Sequence, residues 1–204
     1  MSNVAIAAVF DLGGVLINWD PRAAYLAEFP ERREQIDRFL ETTLTDIGLA
    51  TCETPGALAD VVAPWRDSGG DFAPFIDFFT SHWPRFVRGP IPGSVSLVER
   101  LLARSVPVYG LTNWPEATFP PEGEAFGFLA QFIDIIVSGR EGMRKPDAAI
   151  FRLAIDRFGI EPASTVYVDD HAGNVQTAAR LGFRAHHFSS PAMLEGFLVD
   201  SGLL

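Results

Sequence analysis

Polar residues stand where the apolar runs of this chain stop, and their types suit chemistry on an anion. Val4 to Phe10 reads as a buried strand that ends at Asp11, with Leu12, Gly13 and Gly14 directly after it. The run VPVYGL leads into Thr112 and Asn113, whose hydroxyl, amide and backbone N–H groups are donors of the kind that phosphate oxygens accept. Lys145 precedes a proline in the segment from Gly142 to Asp147, just ahead of a helical pattern, where a cation can reach a neighbouring anion cluster. TVYVDD ends in Asp169 and Asp170. Adjacent carboxylates at a buried strand end repel one another, so a cation or hydrogen bonds must compensate. Together with Asp11 they form an oxygen-rich set of the kind Mg²⁺ prefers.

Each piece has a plainer reading by itself. An Asp ahead of two glycines is as often a turn residue, Thr-Asn after a strand is commonly a turn, and Lys145 is an ordinary solvated lysine. One of Asp169 and Asp170 is also a natural helix cap. Their order along one chain is much harder to obtain by accident than any one of them.

Positioning such residues requires parallel strands, because in open α/β sheets ligands bind outside the carboxyl ends of the strands. Val4 to Phe10, Val106 to Leu111, Ile133 to Val137 and Thr165 to Val168 read as such strands, and Arg184 to Phe188 as a weaker fifth. Helical spacing over Val95 to Leu102, Ala148 to Phe158 and Val175 to Leu181 supplies crossovers, so the pattern predicts a doubly wound α/β core. Ser190 and Pro191 suit the N-cap and first position of a last helix.

Residues 20–88 break the alternation. They contain no clear strand, and helix-like pieces at Arg22 to Leu40, Pro55 to Trp65 and Asp71 to Trp83, with aromatics whose plain role is packing within the segment. We read them as a small helical insert, leaving 1–19 and 89–204 as the core. RGPIPG, from Arg88 to Gly93, reads as a return linker or hinge. Trp19, Asp46, Trp114 and the insert aromatics are candidates for the wall of a pocket.

Composition bounds the partners. With 204 residues the chain suffices for one core carrying an insert, and 48% hydrophobic residues mark it as globular. A net charge of -10 without any Lys/Arg run argues against nucleic acid and anionic membranes, so a small anionic substrate would need a local positive site. The single cysteine, Cys52, excludes an intramolecular disulfide and a multi-cysteine metal site, and reads as structural filler in a reducing compartment. No apolar stretch approaches the roughly 20 residues of a membrane span, and the start does not read as a signal peptide, so a cytoplasmic location is expected. Oligomeric state is not readable.

The segments VFDLGGVL, YGLTNWP, GMRKPD and YVDDHAGN, in that order, resemble the motifs of the haloacid dehalogenase (HAD) superfamily of hydrolases, and the insert resembles that family's helical cap. The resemblance implies a Rossmann-like core and a Mg²⁺-dependent phosphatase acting on a small phosphorylated metabolite. It makes Asp11 the nucleophile that forms an aspartyl-phosphate. Mg²⁺ would be held by Asp11, the carbonyl of Gly13 and Asp170, with Asp169 as a direct or water-mediated ligand. Thr112 and Asn113 would bind phosphate oxygens, Lys145 would balance charge, and Asn174 would brace the loop after the paired Asp.

One departure is chemical. Most HAD phosphatases carry a second Asp, as general acid and base, two residues after the nucleophile, and here that position is Gly13. Such a group is worth about 10²- to 10⁴-fold in rate, so its absence implies a slow enzyme, a good leaving group or another donor, of which His171 is one candidate. The D-x-G start resembles a bacterial subgroup that includes a glucose-1-phosphate phosphatase, which suggests a sugar phosphate. The alternatives are a metal-independent 2-haloacid dehalogenase, whose first motif also lacks the second Asp, and a catalytically weak HAD fold kept as a binding module.

Overall fold

The computed structural model describes residues 6–68, 70–121 and 123–204. The first strand, β1, spans Ala7–Phe10; Val4 and Ala5 of the predicted strand lie outside the described residues. Past Asp11 the chain turns back into a short strand, β2 (Ile17–Trp19), and then enters the insert.

The insert is helical, as expected, but cut differently. The predicted piece Arg22 to Leu40 is two helices, α1 (Pro21–Glu28) and α2 (Arg33–Glu41). Pro30 disfavours helical backbone at Phe29, whose φ of -128° and ψ of 62° end the first one. A third helix, α3 (Thr43–Glu53), escaped the sequence reading. It is followed by α4 (Leu58–Ser68) and α5 (Ala73–Ser81), so the other two predicted pieces shift by a turn or less at their ends. Asp20 caps α1 by accepting from the backbone N–H of Ala23 at 2.9 Å. The insert has its own core of buried rings centred on Tyr25, which meets Phe39, Phe75, Phe78 and Phe86 at centroid distances of 5.1 to 5.7 Å. Packing of the insert is therefore the role of most of these aromatics.

The predicted hinge, Arg88 to Gly93, is more ordered than a linker. β3 (Val87–Pro90) pairs antiparallel with β2, and α6 (Pro92–Ala103) starts two residues later. Pro92 sits at the start of a helix, where its missing N–H leaves nothing unpaired, and the N–H of Ile91 is held by the carbonyl of Leu16 at 2.7 Å. A two-stranded ribbon thus stands where the insert leaves and rejoins the core.

Beyond it the core alternates as predicted: β4 (Val108–Thr112), β5 (Asp134–Val137), α7 (Ser138–Glu141), α8 (Ala148–Phe158), β6 (Thr165–Asp169), α9 (Ala172–Arg180), β7 (Arg184–His187) and α10 (Pro191–Asp200). The five long-range strands make one parallel sheet in the order β5-β4-β1-β6-β7. Side chains alternate across it. Ala8 and Phe10 face a layer that includes Leu97, Leu101 and Leu198 of α6 and α10, while Ala7 and Val9 face Ile150, Phe151 and Ala178 of α8 and α9. Helices on both faces bury every strand of the centre, which is why these strands read as continuous apolar runs. Among the described residues, no helix is long and apolar enough to cross a membrane.

Candidate active site

Parallel pairing puts the ends of β1, β4 and β6 on one edge. Phe10 is level with Val168 on one side and with Gly110 on the other, so Asp11 and Asp169 leave the sheet level with each other and Thr112 follows one residue beyond on the other side. Asp11, Asp169 and Asp170 each present an oxygen within 4.8 Å of the others. Lys145 comes to them from the loop before α8. Its side chain is fully buried, with Nζ 2.9 Å from Asp11 Oδ2 and 2.8 Å from Asp169 Oδ2.

The sites differ in electrostatic state. Burial pushes the Asp11 carboxyl up to about 8, with Asp169 pushing the same way and Lys145 opposing. Burial and the charge of Asp169 also raise Asp170. Burial alone would raise Asp169 too, but Lys145, Tyr167 and the His171 N–H outweigh it and hold that carboxyl below its ordinary value. Lys145 is raised in turn, because Asp11 and Asp169 outweigh the burial that would lower it. Asp11 and Asp169 therefore share one buried ammonium with Asp170 beside them, and a divalent cation is the natural complement of three clustered carboxyl groups.

Asp169 is fully engaged. It accepts from Tyr167 Oη at 2.5 Å, Asn174 Nδ2 at 3.0 Å, the backbone N–H of His171 at 2.8 Å and Lys145. Asn174 is buried, and its amide holds both oxygens of Asp169. Tyr167 was missed. The available signal was strand periodicity, since residues two apart on β6 share a face. His171 is exposed at the N-terminus of α9, and its contribution here is a backbone N–H rather than its ring. His187 Nε2, also missed, lies 2.9 Å from the carbonyl of Asp170.

Thr112 Oγ1 is buried and has no partner among the described residues, an orphan donor at the site edge. Asn113 behaves differently. Its Nδ2 donates to the carbonyl of Lys145 and its Oδ1 accepts from the N–H of Lys145, both at 2.9 Å, so the amide clamps the lysine backbone. Gly14 and Gly13 also part company. A Cβ on Gly14 would lie 2.1 Å from Asp170 Oδ2 at a φ of +76°, whereas one on Gly13 would meet nothing within 4 Å.

From Asn113 a cleft of about 280 Å³ opens between core and insert. Its walls include Trp19, Leu44, Leu49, Cys52, Phe79, Trp83 and Trp114. Trp114 is thus both packed and a wall, Cys52 lines the cleft with its thiol pushed up by burial, and Asp46 is exposed outside it.

The fold is a doubly wound α/β sheet with three carboxylates and a buried lysine on one edge, an arrangement suited to chemistry on an anion. The model of the haloacid dehalogenase-like hydrolases matches residues 7–182, and the chain belongs to that family. It is 26% identical over 198 residues to a sesquiterpene phosphatase of Aspergillus oryzae, covering 90% of this chain and 89% of that protein. It is 31% identical over 91 residues to a phosphoglycolate phosphatase of Rhodospirillum rubrum, but that covers 45% of this chain and 38% of that protein. Among solved structures, a HAD family enzyme from Bacteroides thetaiotaomicron in complex with magnesium and inorganic phosphate superposes with a TM-score of 0.62 at 22% identity, over 91% of this chain and 94% of that one. The L-2-haloacid dehalogenase of Xanthobacter autotrophicus does so at 0.65 and 18% identity, over 98% and 84%.

Proposed function

We propose that this hydrolase is a Mg²⁺-dependent phosphatase that cleaves small phosphomonoesters through an aspartyl-phosphate on Asp11. Residues 20–88 serve as its cap. The observation that carries the reading is the buried triangle of Asp11, Lys145 and Asp169 with Asp170 beside it. Two phosphatases among the relatives support the same class.

An oxygen of Asp11 attacks phosphorus in line, the bond from phosphorus to the ester oxygen breaks, and the alcohol oxygen leaves with its electron pair. Water then attacks the phosphorus, releasing inorganic phosphate and restoring the carboxylate. Lys145 keeps Asp11 oriented and offsets the charge that builds on the transferring group. Thr112 Oγ1 and the backbone N–H of Asn113 bind phosphate oxygens, while the Asn113 side chain positions Lys145. Mg²⁺ would be held by Asp11, Asp170 and the carbonyl of Gly13, with Asp169, its oxygens already occupied, acting through water; bound there it would supply Lewis-acid charge and in-line alignment.

A dehalogenase displacing halide at carbon would need neither a cation nor the second and third carboxylates. Release of phosphate from p-nitrophenyl phosphate with Mg²⁺, lost on chelation and in Asp11→Asn, is the expected result. Chloride release from 2-chloropropionate without metal, and no phosphate, would reverse the assignment.

A further inference from the structure

The cleft that begins at Asn113 is walled mainly by apolar side chains, and most of its few polar side chains already hold protein partners. Thr45 Oγ1 donates to the carbonyl of Leu40 and Thr51 Oγ1 to that of Gly48, each at 3.1 Å. The indole N–H of Trp114 is directed to Thr118, with Oγ1 at 3.0 Å. Arg144, at the edge, is held to Glu53 through Nε and to the Lys145 carbonyl through Nη1, and the amide of Asn113 holds the Lys145 backbone at both ends. Among the described residues, Trp83 Nε1 alone of these is a buried donor without a partner. Apart from Gly48 and the thiol of Cys52, the remaining walls are aliphatic or aromatic: Trp19, Leu44, Leu49, Phe79 and Pro115.

We propose that this cleft takes the organic body of the substrate and that the body is apolar, a ring system or a short branched hydrocarbon carrying the phosphate. The inference rests on the phosphatase reading and names its substrate class. Continuity supplies the geometry: Asn113 follows Thr112, and Arg144 precedes Lys145, so the mouth of the cleft adjoins the residues assigned to the phosphoryl group. Energetics supply the choice. A sugar would bring several hydroxyls into this space, and each one left without a partner costs about 1–3 kcal/mol. An apolar body loses nothing there and gains the burial of its own surface. The volume, about 280 Å³, lies at the lower end for ligand pockets and suits a compact body. The sugar phosphate suggested by the D-x-G start is therefore disfavoured.

The test measures inhibition of p-nitrophenyl phosphate hydrolysis, with Mg²⁺, by n-alkylphosphonates from ethyl to octyl. The inhibition constant should fall about fourfold per methylene until the cleft is full, which is the fold-change of about 0.8 kcal/mol per buried CH₂. A dihydroxylated propylphosphonate should bind more weakly than propylphosphonate. Leu49, 37% exposed at the cleft wall, can be changed without opening a core, and Leu49→Asp should flatten the series. A flat series in the wild type, or tighter binding of the dihydroxylated compound, overturns the apolar body and leaves the phosphatase standing. No hydrolysis of p-nitrophenyl phosphate with Mg²⁺ overturns the phosphatase, and the inference falls with it.

Discussion

Lys145 Nζ lies 2.9 Å from Asp11 Oδ2, with the lysine side chain wholly buried. Removing one partner of a buried pair strands the other, which costs about 3–5 kcal/mol. Lys145→Met should therefore lower the urea midpoint markedly as well as abolish phosphate release. Wild-type stability in this variant would mean that the ammonium is not what balances Asp11 and Asp169.

Gly14 is tied to Asp170 by space. An alanine there would put Cβ 2.1 Å from Asp170 Oδ2 and hold an L-residue at a φ of +76°. The left-handed backbone alone costs about 1–2 kcal/mol. Wild-type protein should gain about 2.7 kcal/mol of stability at a Mg²⁺ concentration a hundred times its dissociation constant. In Gly14→Ala and in Asp170→Asn, thermal melts with and without Mg²⁺ should show that gain reduced or gone.

Gly13 has open space instead, and its φ is not positive. Gly13→Asp should fold and place a carboxyl where a proton donor is missing. Simple alkyl phosphates, whose leaving groups need that proton, should then be cleaved on the order of 10²-fold faster, while aryl phosphates change little. Equal changes for both classes would show that proton donation is not what Gly13 forgoes.

His186 provides a pH test away from the site. It stacks on Phe197 at 4.6 Å, its Nε2 is buried without a partner among the described residues, and burial together with His187 lowers its pKa from 6.5. A base whose folded pKa is depressed binds fewer protons folded than unfolded, so this group favours unfolding as the pH drops below about 6.5. Between about pH 8 and about pH 5.5, the wild type should lose more stability than His186→Phe in parallel urea melts. Identical losses would show that His186 does not titrate against folding.

Some of this was legible because it is local. A buried parallel strand must be apolar along its length, so the polar residue that ends it stands out, as Asp11, Thr112 and Asp169 do. Pro30 was a local signal for the break between α1 and α2, but helical spacing on either side of it made Arg22 to Leu40 read as one piece. The helix α3 was not legible, because its apolar residues are divided between two surroundings, Ile47 in the core of the insert and Leu44, Leu49 and Cys52 at the cleft, so no single stripe stands out from polar neighbours.

The order of the chemical groups and the family could be read from the residues alone, since motif and strand end are written in neighbouring positions. Which atoms meet depended on the folded chain. It turned the Asn113 amide onto Lys145, filled the oxygens of Asp169 with Tyr167 and Asn174, left Asp170 facing Gly14, and lined the cleft with apolar walls. The pairings of Asn113 with Lys145 and of Gly14 with Asp170 join residues far apart in the chain, and even for Tyr167 and Asn174, near Asp169 in sequence, hydrogen-bond partners and burial are properties of the packed molecule.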